Sequence, residues 1–161
     1  MSQEEIPIVA VTPTLSLLYT SIIEIAAPLS MGHGPYGERR IINITGGSFS
    51  GPRLSGRILP GGADWQIIRN DGIAEVEARY TLETHDGALI YISNWGYRHG
   101  PQDVIKRLGM GGKVSPKEYY FRTTPKFETG STEYSWLNGI ISVGVGERRV
   151  NDVIITVYVV D

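Results

Sequence analysis

Residues Asp64–Arg98 read DWQIIRNDGIAEVEARYTLETHDGALIYISNWGYR. Three runs rich in Ile, Val, Thr, Tyr and Trp, at Asp64–Asn70, Ile73–Thr84 and Ala88–Arg98, are separated by Asp71-Gly72 and Asp86-Gly87. Asp-Gly between alternating runs is a strong hairpin signal, because a type I′ turn needs positive φ at both central positions. Two two-residue turns set a register. Asp64 then faces Arg79 and Arg79 faces Asn94; Gln66 faces Glu77 and Glu77 faces Gly96; Ile68 faces Glu75 and Glu75 faces Arg98. Side chains alternate across a strand, so this polar set shares one face. The other face carries Trp65, Ala78 and Trp95, then Ile67, Val76 and Tyr97.

The same signals extend in both directions. Met1–Pro13, broken by Pro7 and Pro13, reads as a flexible tail, and 14–161 as one β-barrel domain. Strands are expected at Leu15–Ile25, Arg39–Phe49 and Leu54–Leu59, with a Gly- and Pro-rich loop over Ala26–Glu38 able to sit over a barrel mouth. Gly46-Gly47 within a strand predicts a bulge or a close backbone approach. Beyond the meander, Asp103–Leu108 fits a helical turn, Tyr119–Phe127 a strand, and Ile140–Val145 with Val150–Val160 a last hairpin. Val153–Val160 is apolar on both faces, the pattern of a strand covered on both sides. Ser131 is placed to N-cap a short helix over Thr132–Asn138, stopped by Gly139. The result is an all-β fold: a single antiparallel, lipocalin-like β-barrel of about eight or nine strands, with one short helix near the C-terminal third.

Composition narrows the function classes. The 161 residues carry 15 basic and 17 acidic side chains and no cysteine. Near-balanced charge without a basic run argues against nucleic acid. The absence of cysteine excludes disulfides and thiolate chemistry and fits a cytoplasmic chain. No signal peptide is expected, and no apolar segment reaches the length of a membrane span. His33, His85 and His99 are scattered without ligand spacing, so no metal site is expected. The serines near Gly46–Ser50 lack a nucleophile elbow, and no phosphate loop or other cofactor motif is present.

Two constellations carry the candidate chemistry. The first is the Asp64/Arg79/Asn94 row with Glu77 beside it. One reading is a solvent face of cross-strand ion pairs, each worth at most about 1 kcal/mol. The other puts the row inside the barrel, where Glu77 is a general base and Arg79 with Arg98 stabilises an enolate or phenolate. The second is Tyr119–Asn138, YYFRTTPKFETGSTEYSWLN, the most chemically dense stretch of the chain. There Arg122 either pairs with Glu128 at the rim or reaches the cavity. Tyr120 and Phe121 lie on opposite faces of the strand. Trp136 and Asn138 stand open between packing and ligand contact.

Taken together these motifs resemble the β-barrel family catalogued as domain of unknown function 3237, also called uncharacterised protein family 0311. The matching pieces are Gly46-Gly47 with Phe49 and Gly51-Pro52, then Pro60 through Trp65, Ala78-Arg79-Tyr80, and Asp86-Gly87-Ala88. Asn94 with Gly96 and Arg98, Tyr120 through Thr123, Phe127 through Thr129, and Tyr134 with Trp136 through Asn138 complete them. The resemblance implies an antiparallel barrel with a cavity, often oligomeric, and it favours the inward orientation of the polar row. The face bearing Trp65 and Trp95 then needs a cover, and a homo-oligomer is expected.

The expected function is an acid–base enzyme without cofactor, an isomerase, cyclase or lyase, acting on a small aromatic or polyketide-like carbonyl metabolite. Glu77, Arg79, Arg98 and Arg122 are the candidate catalytic residues. Asp64, Trp65, Asn94, Trp95, Tyr120, Phe121, Glu128, Trp136 and Asn138 are the candidate binding residues. A non-catalytic small-molecule binding barrel and a structural or interaction module are the alternatives.

Overall fold

The structure, a computed structural model, describes residues 5–161. Ten strands follow in order: β1 Leu15–Ile25, β2 Leu29–Gly34, β3 Gly37–Ser50, β4 Ser55–Ile58, β5 Gly62–Ile68, β6 Ala74–Thr84, β7 Leu89–His99, β8 Tyr120–Glu128, β9 Ile141–Arg148 and β10 Asp152–Val160. All pairings are antiparallel. The ring β1-β10-β9-β8-β7-β6-β4-β3 closes through β3–β1, while β5 bridges β3 and β6 beside β4 and β2 extends β3. Closure leaves the ring without free edges, which is how an all-β chain avoids unpaired backbone.

Much of the expected strand map holds, and two segments differ. The Ala26–Glu38 loop contains β2, an exposed strand hairpinned onto β3. The Thr132–Asn138 segment forms a 3-10 turn over Ser135–Gly139; its N-cap position is Tyr134, and Ser131 makes no cap bond. The α-helix among the described residues is α1, Gln102–Gly109, with Val104 as its buried residue. None of the described helices is long and apolar enough to cross a membrane. Of the expected tail, residues 5–13 carry no strand, and residues 1–4 lie outside the described residues.

Gly46 and Gly47 do mark a bulge. The β1–β3 register slips between Glu24 and Ile25, and Gly47 adopts φ +141°. A side chain there would run into the Ile22 carbonyl oxygen. The bend lets β3 pair with β2 and β5 along one half and with β1 and β4 along the other.

The hairpin registers also differ from expectation, and this decides the site. Both turns hold three residues, Asn70-Asp71-Gly72 and His85-Asp86-Gly87, closed by Arg69 N–H to Ile73 O and Thr84 N–H to Ala88 O at 2.9 Å each. Gly72 and Gly87 have φ +87°, and no non-glycine residue among those described has positive φ. The aspartates therefore occupy a type I turn, and each glycine forms the bulge that follows it. One extra residue per turn shifts the pairing by one and exchanges the faces. Asp64 lies opposite Ala78, Ala78 opposite Asn94, Val76 opposite Gly96, and Ala74 opposite Arg98.

Two apolar clusters fill the barrel. The larger gathers Leu18, Tyr19, Phe49, Leu82, Ile90, Ile92, Phe127 and Leu137 with their neighbours. The smaller, Val76, Val104, Val114, Tyr119 and Phe121, lies under α1. Tyr134 donates its hydroxyl to both Asp86 carboxylate oxygens at 3.0 and 3.1 Å, tying the β6–β7 turn to the C-terminal 3-10 segment.

Candidate functional site

The barrel is nearly solid. Its inner cavity has a volume of about 40 Å³, lined by apolar side chains and by Asp64, Gln66, Tyr80, Asn94, Arg98 and Arg148. That is room for about three water molecules. It adjoins a cleft of about 510 Å³ with which it shares Ile25, Arg98 and Arg148. This cleft lies between α1, which contributes Ile105 and Leu108, and the Ile25–Pro28 segment. A small organic molecule fits the cleft and can send only one small end, such as a carbonyl with its neighbouring carbon, inward to Asp64 and Asn94.

Polar groups meet where the two spaces join. Arg40 on β3 donates to Gln66 Oε1 from Nε at 3.2 Å and from Nη2 at 2.6 Å. Gln66 donates to Asp64 Oδ2 at 3.0 Å, and the Glu77 backbone N–H donates to Asp64 Oδ1 at 2.9 Å. Among the described residues no carboxylate lies within 4.0 Å of an Arg40, Arg98 or Arg148 guanidinium. Arg98 is only 8% exposed. Its guanidinium carbon lies 5.5 Å from the centre of the Phe121 ring.

The electrostatics are those of an under-neutralised cationic pocket. Burial lowers the Arg98 pKa to about 10, helped by Arg148 and Arg40 and opposed by Asp64. Arg148 is lowered by burial and then by Arg40. Burial raises the Asp64 carboxyl, against the Glu77 N–H, Arg98, Gln66 and Arg40, which all lower it. Three guanidinium groups thus share one carboxylate. Deeper in, Asn94 Oδ1 and Thr123 Oγ1 are buried without a hydrogen-bond partner. Buried polar atoms normally have partners. Asn94 lines the inner cavity and its Oδ1 can accept only, whereas Thr123, whose hydroxyl can donate or accept, does not line it. Among the described residues no cluster of His, Asp and Glu fit to hold a metal ion occurs.

Of the candidate residues, Asp64, Asn94, Arg98 and Phe121 line the cavity. Glu77 and Arg79 do not. The register slip turns both outward, where Arg79 lies over the Trp65 ring at 4.7 Å. The place expected for the general base is taken by the apolar wall of Val76 and Ala78. Arg122 is likewise exposed. It donates to the Phe121 carbonyl at 3.0 Å and does not pair with Glu128, itself exposed. Trp95 is 42% exposed and packs edge-on against Tyr97. Tyr120 is exposed and stacks on His99. Trp136 lies under Arg53 and against the core, and Asn138 clamps Thr129 through two hydrogen bonds.

Sequence reasoning misses Arg40 and Arg148, and it puts Gln66 on the polar face without making it a candidate. With Ile42 and Ile44 buried, the alternation along β3 puts Arg40 on the inner face, and the Gly144, Gly146, Arg148 series does the same on β9. The signal in each case is a charged residue in phase with buried ones.

A family model described as "Protein of unknown function (DUF3237)" matches residues 13–160. The chain belongs to this DUF3237 family. UPF0311 protein RPA1785 of Rhodopseudomonas palustris is 45% identical over 149 residues, 91% of this chain and 97% of that one. UPF0311 protein CA_C3321 of Clostridium acetobutylicum is 39% identical over 88% of this chain and 90% of its own. A solved structure from Acinetobacter baumannii, described as a beta-barrel like protein, superposes with a TM-score of 0.82 at 44% identity, covering 99% of this chain and 100% of that one. A structure described as an enzyme from Penicillium herquei shares the DUF3237 barrel at TM-score 0.71 and 19% identity over the whole of both chains, a likeness of fold alone.

Proposed function

We propose that the cleft binds a small anionic carbonyl or phenolic compound and that Asp64 exchanges a proton with it, an acid–base isomerase, cyclase or lyase. The observation carrying this reading is Arg98, buried and without a carboxylate partner, flanked by two more guanidinium groups. A buried unpaired charge is a large penalty that binding sites retain because the ligand removes it. The compound's anionic oxygen sits against Arg98 and Arg148, a hydroxyl satisfies Asn94 Oδ1, and the apolar body lies along Ile105 and Leu108. Loss of a proton from the carbon beside a carbonyl to Asp64 leaves an enolate, whose charge Arg98 stabilises. Return of the proton to another carbon isomerises the compound; attack of the enolate carbon on a second carbonyl of the same molecule opens that C=O, closes a ring and leaves an alkoxide that takes the proton back from Asp64.

A second reading has its own support. Both Asp64 oxygens already accept hydrogen bonds, and through Gln66 the carboxylate orients Arg40. On that reading Asp64 is a positioning residue in a non-catalytic anion-binding barrel.

Deuterium exchange separates the two. Hydroxylated aromatic ketones that raise the melting temperature are incubated in heavy water, and label at carbon is followed by NMR. Asp64→Asn is expected to slow incorporation at least about 100-fold while leaving binding intact, the usual weight of a general base. Burial raises the Asp64 pKa, so the basic carboxylate accumulates as pH rises through that elevated value. The wild-type rate should climb with pH and then level off. Equal rates in the two proteins remove Asp64 as the base, and binding without any exchange leaves the binding barrel.

A further inference from the structure

The outer surface of β1, β10 and β9 is apolar where a solvated sheet face would be polar. Cross-strand register sets Leu15, Val160 and Ile141 in one row and Leu17, Tyr158 and Val143 in the next. Leu15, Leu17 and Ile141 are exposed, Ile141 to 71%. The alternation in β10 shows why: Ile155 and Val157 point into the core, yet of the outward residues Ile154, Thr156, Tyr158 and Val160 only Thr156, which pairs with Thr20, is polar. Such a strand is built to be covered on both sides, and in this chain the outer side is only half buried.

A second observation lies at the edge of the same face. The chain before β1 reads Ile6-Pro7-Ile8-Val9-Ala10-Val11, and its four large aliphatic side chains are 75–89% exposed. This arm leaves the barrel at Thr14, which is fixed by reciprocal backbone hydrogen bonds to Asp161 at 3.3 and 2.8 Å. Pro13 restricts Thr12 to extended conformations, so the arm projects beyond the end of β1.

We propose that this face is an interface between two copies of the chain, each sending its Ile6–Val11 arm across the β1–β10–β9 surface of the other. Three features select a second copy as the occupant. The patch and the arm are both uncharged, so one complements the other. They are contiguous in the chain, so a two-fold axis beside Thr14 brings each arm to the partner's patch, as a self-complementary interface requires. The area also suffices. The four arm side chains and the exposed Leu15, Leu17, Ile22 and Ile141, at about 100 Å² apiece, remove roughly 800 Å² per copy, the usual size of a stable interface.

Sedimentation equilibrium tests this on the full chain. Wild type is expected at twice 17.7 kDa at micromolar concentration. Ile141→Lys should give the monomer. Ile8→Asp with Val11→Asp should weaken association at least about tenfold; these side chains are exposed, so the barrel fold is unaffected. The absence of native cysteine permits a positional check. A mixture of Val11→Cys and Ile141→Cys chains should cross-link between copies on oxidation, whereas Val11→Cys mixed with Glu83→Cys, on β6, should not. A monomeric wild type overturns the proposal whether or not the patch binds lipid vesicles. A dimer that survives both Ile141→Lys and the arm variant overturns it equally.

Discussion

Arg98→Met is expected to melt higher than the wild type and to bind no anion. Methionine keeps the length and the contact with Phe121 while removing a charge that lacks a carboxylate within 4.0 Å among the described residues. The charge removed here has no carboxylate in contact among those residues, and replacing even a paired buried ionic group by apolar side chains of similar volume is often neutral or stabilising by up to about 4 kcal/mol. For a chain of this size that is roughly 4–8 °C for a gain of 2 kcal/mol. The pH dependence carries a sign. The folded state holds the Arg98 proton less tightly than the unfolded chain, with a pKa lowered to about 10. The penalty is thus present at neutral pH and eases as pH rises through about 10, so the gap between variant and wild type narrows in alkali. Scanning calorimetry at neutral pH and near pH 10, with titration of salicylate as the anion, reads both effects. A variant that melts lower at neutral pH, or still binds salicylate with wild-type affinity, sinks the cationic-pocket reading.

Gly96→Ala is expected to destabilise the fold by about 3 kcal/mol, the upper range for overpacking a filled interior. Gly96 lies between Val76 on β6 and Thr123 on β8. A methyl group there would fall on the Arg122 carbonyl oxygen and within 2.7 Å of Thr123 Cα. These are backbone atoms, so β8 must move away as a unit. The melting temperature should fall by roughly 6–12 °C. Gly139→Ala provides the control, since a methyl group there meets nothing within 4 Å. Equal melting of the two variants would show that β7 and β8 separate at little cost.

The sequence displayed the strands well and the inside of the barrel poorly. Alternation and turn residues placed the meander strands close to their observed spans, because both signals are local. Orientation is not. Asp-Gly marks a hairpin whether the loop holds two residues or three, and the added residue, Asn70 or His85, has no composition of its own. The two-residue register therefore makes Glu77 a base facing the cavity, and the structure puts it outside. The same register groups Arg98 with Asp64 and Asn94, which do share its face, although the strands pair one residue out of that register. The opposite arginines escaped notice because Arg40 stands in a run, Glu38-Arg39-Arg40, that resembles ordinary surface. Their approach to Arg98 depends on closure of the ring, a contact between strands far apart in the chain. The Ser131 cap failed for a related reason: five residues wound as 3-10 satisfy that corner by packing Leu137 into the core.

The three-residue turns also restrict how this barrel can change over time. Two of its walls depend on a count of residues being odd. Deleting one residue from Asn70–Gly72 would keep both strands and their hydrogen bonding. It would nevertheless exchange lumen and exterior beyond the turn, drawing Glu77 and Arg79 in and sending Ala78 and Tyr80 out. Removing or adding residues in pairs carries no such penalty. Length variation at these tips should therefore occur in even steps, a rule that no tabulation of side-chain identities would reveal.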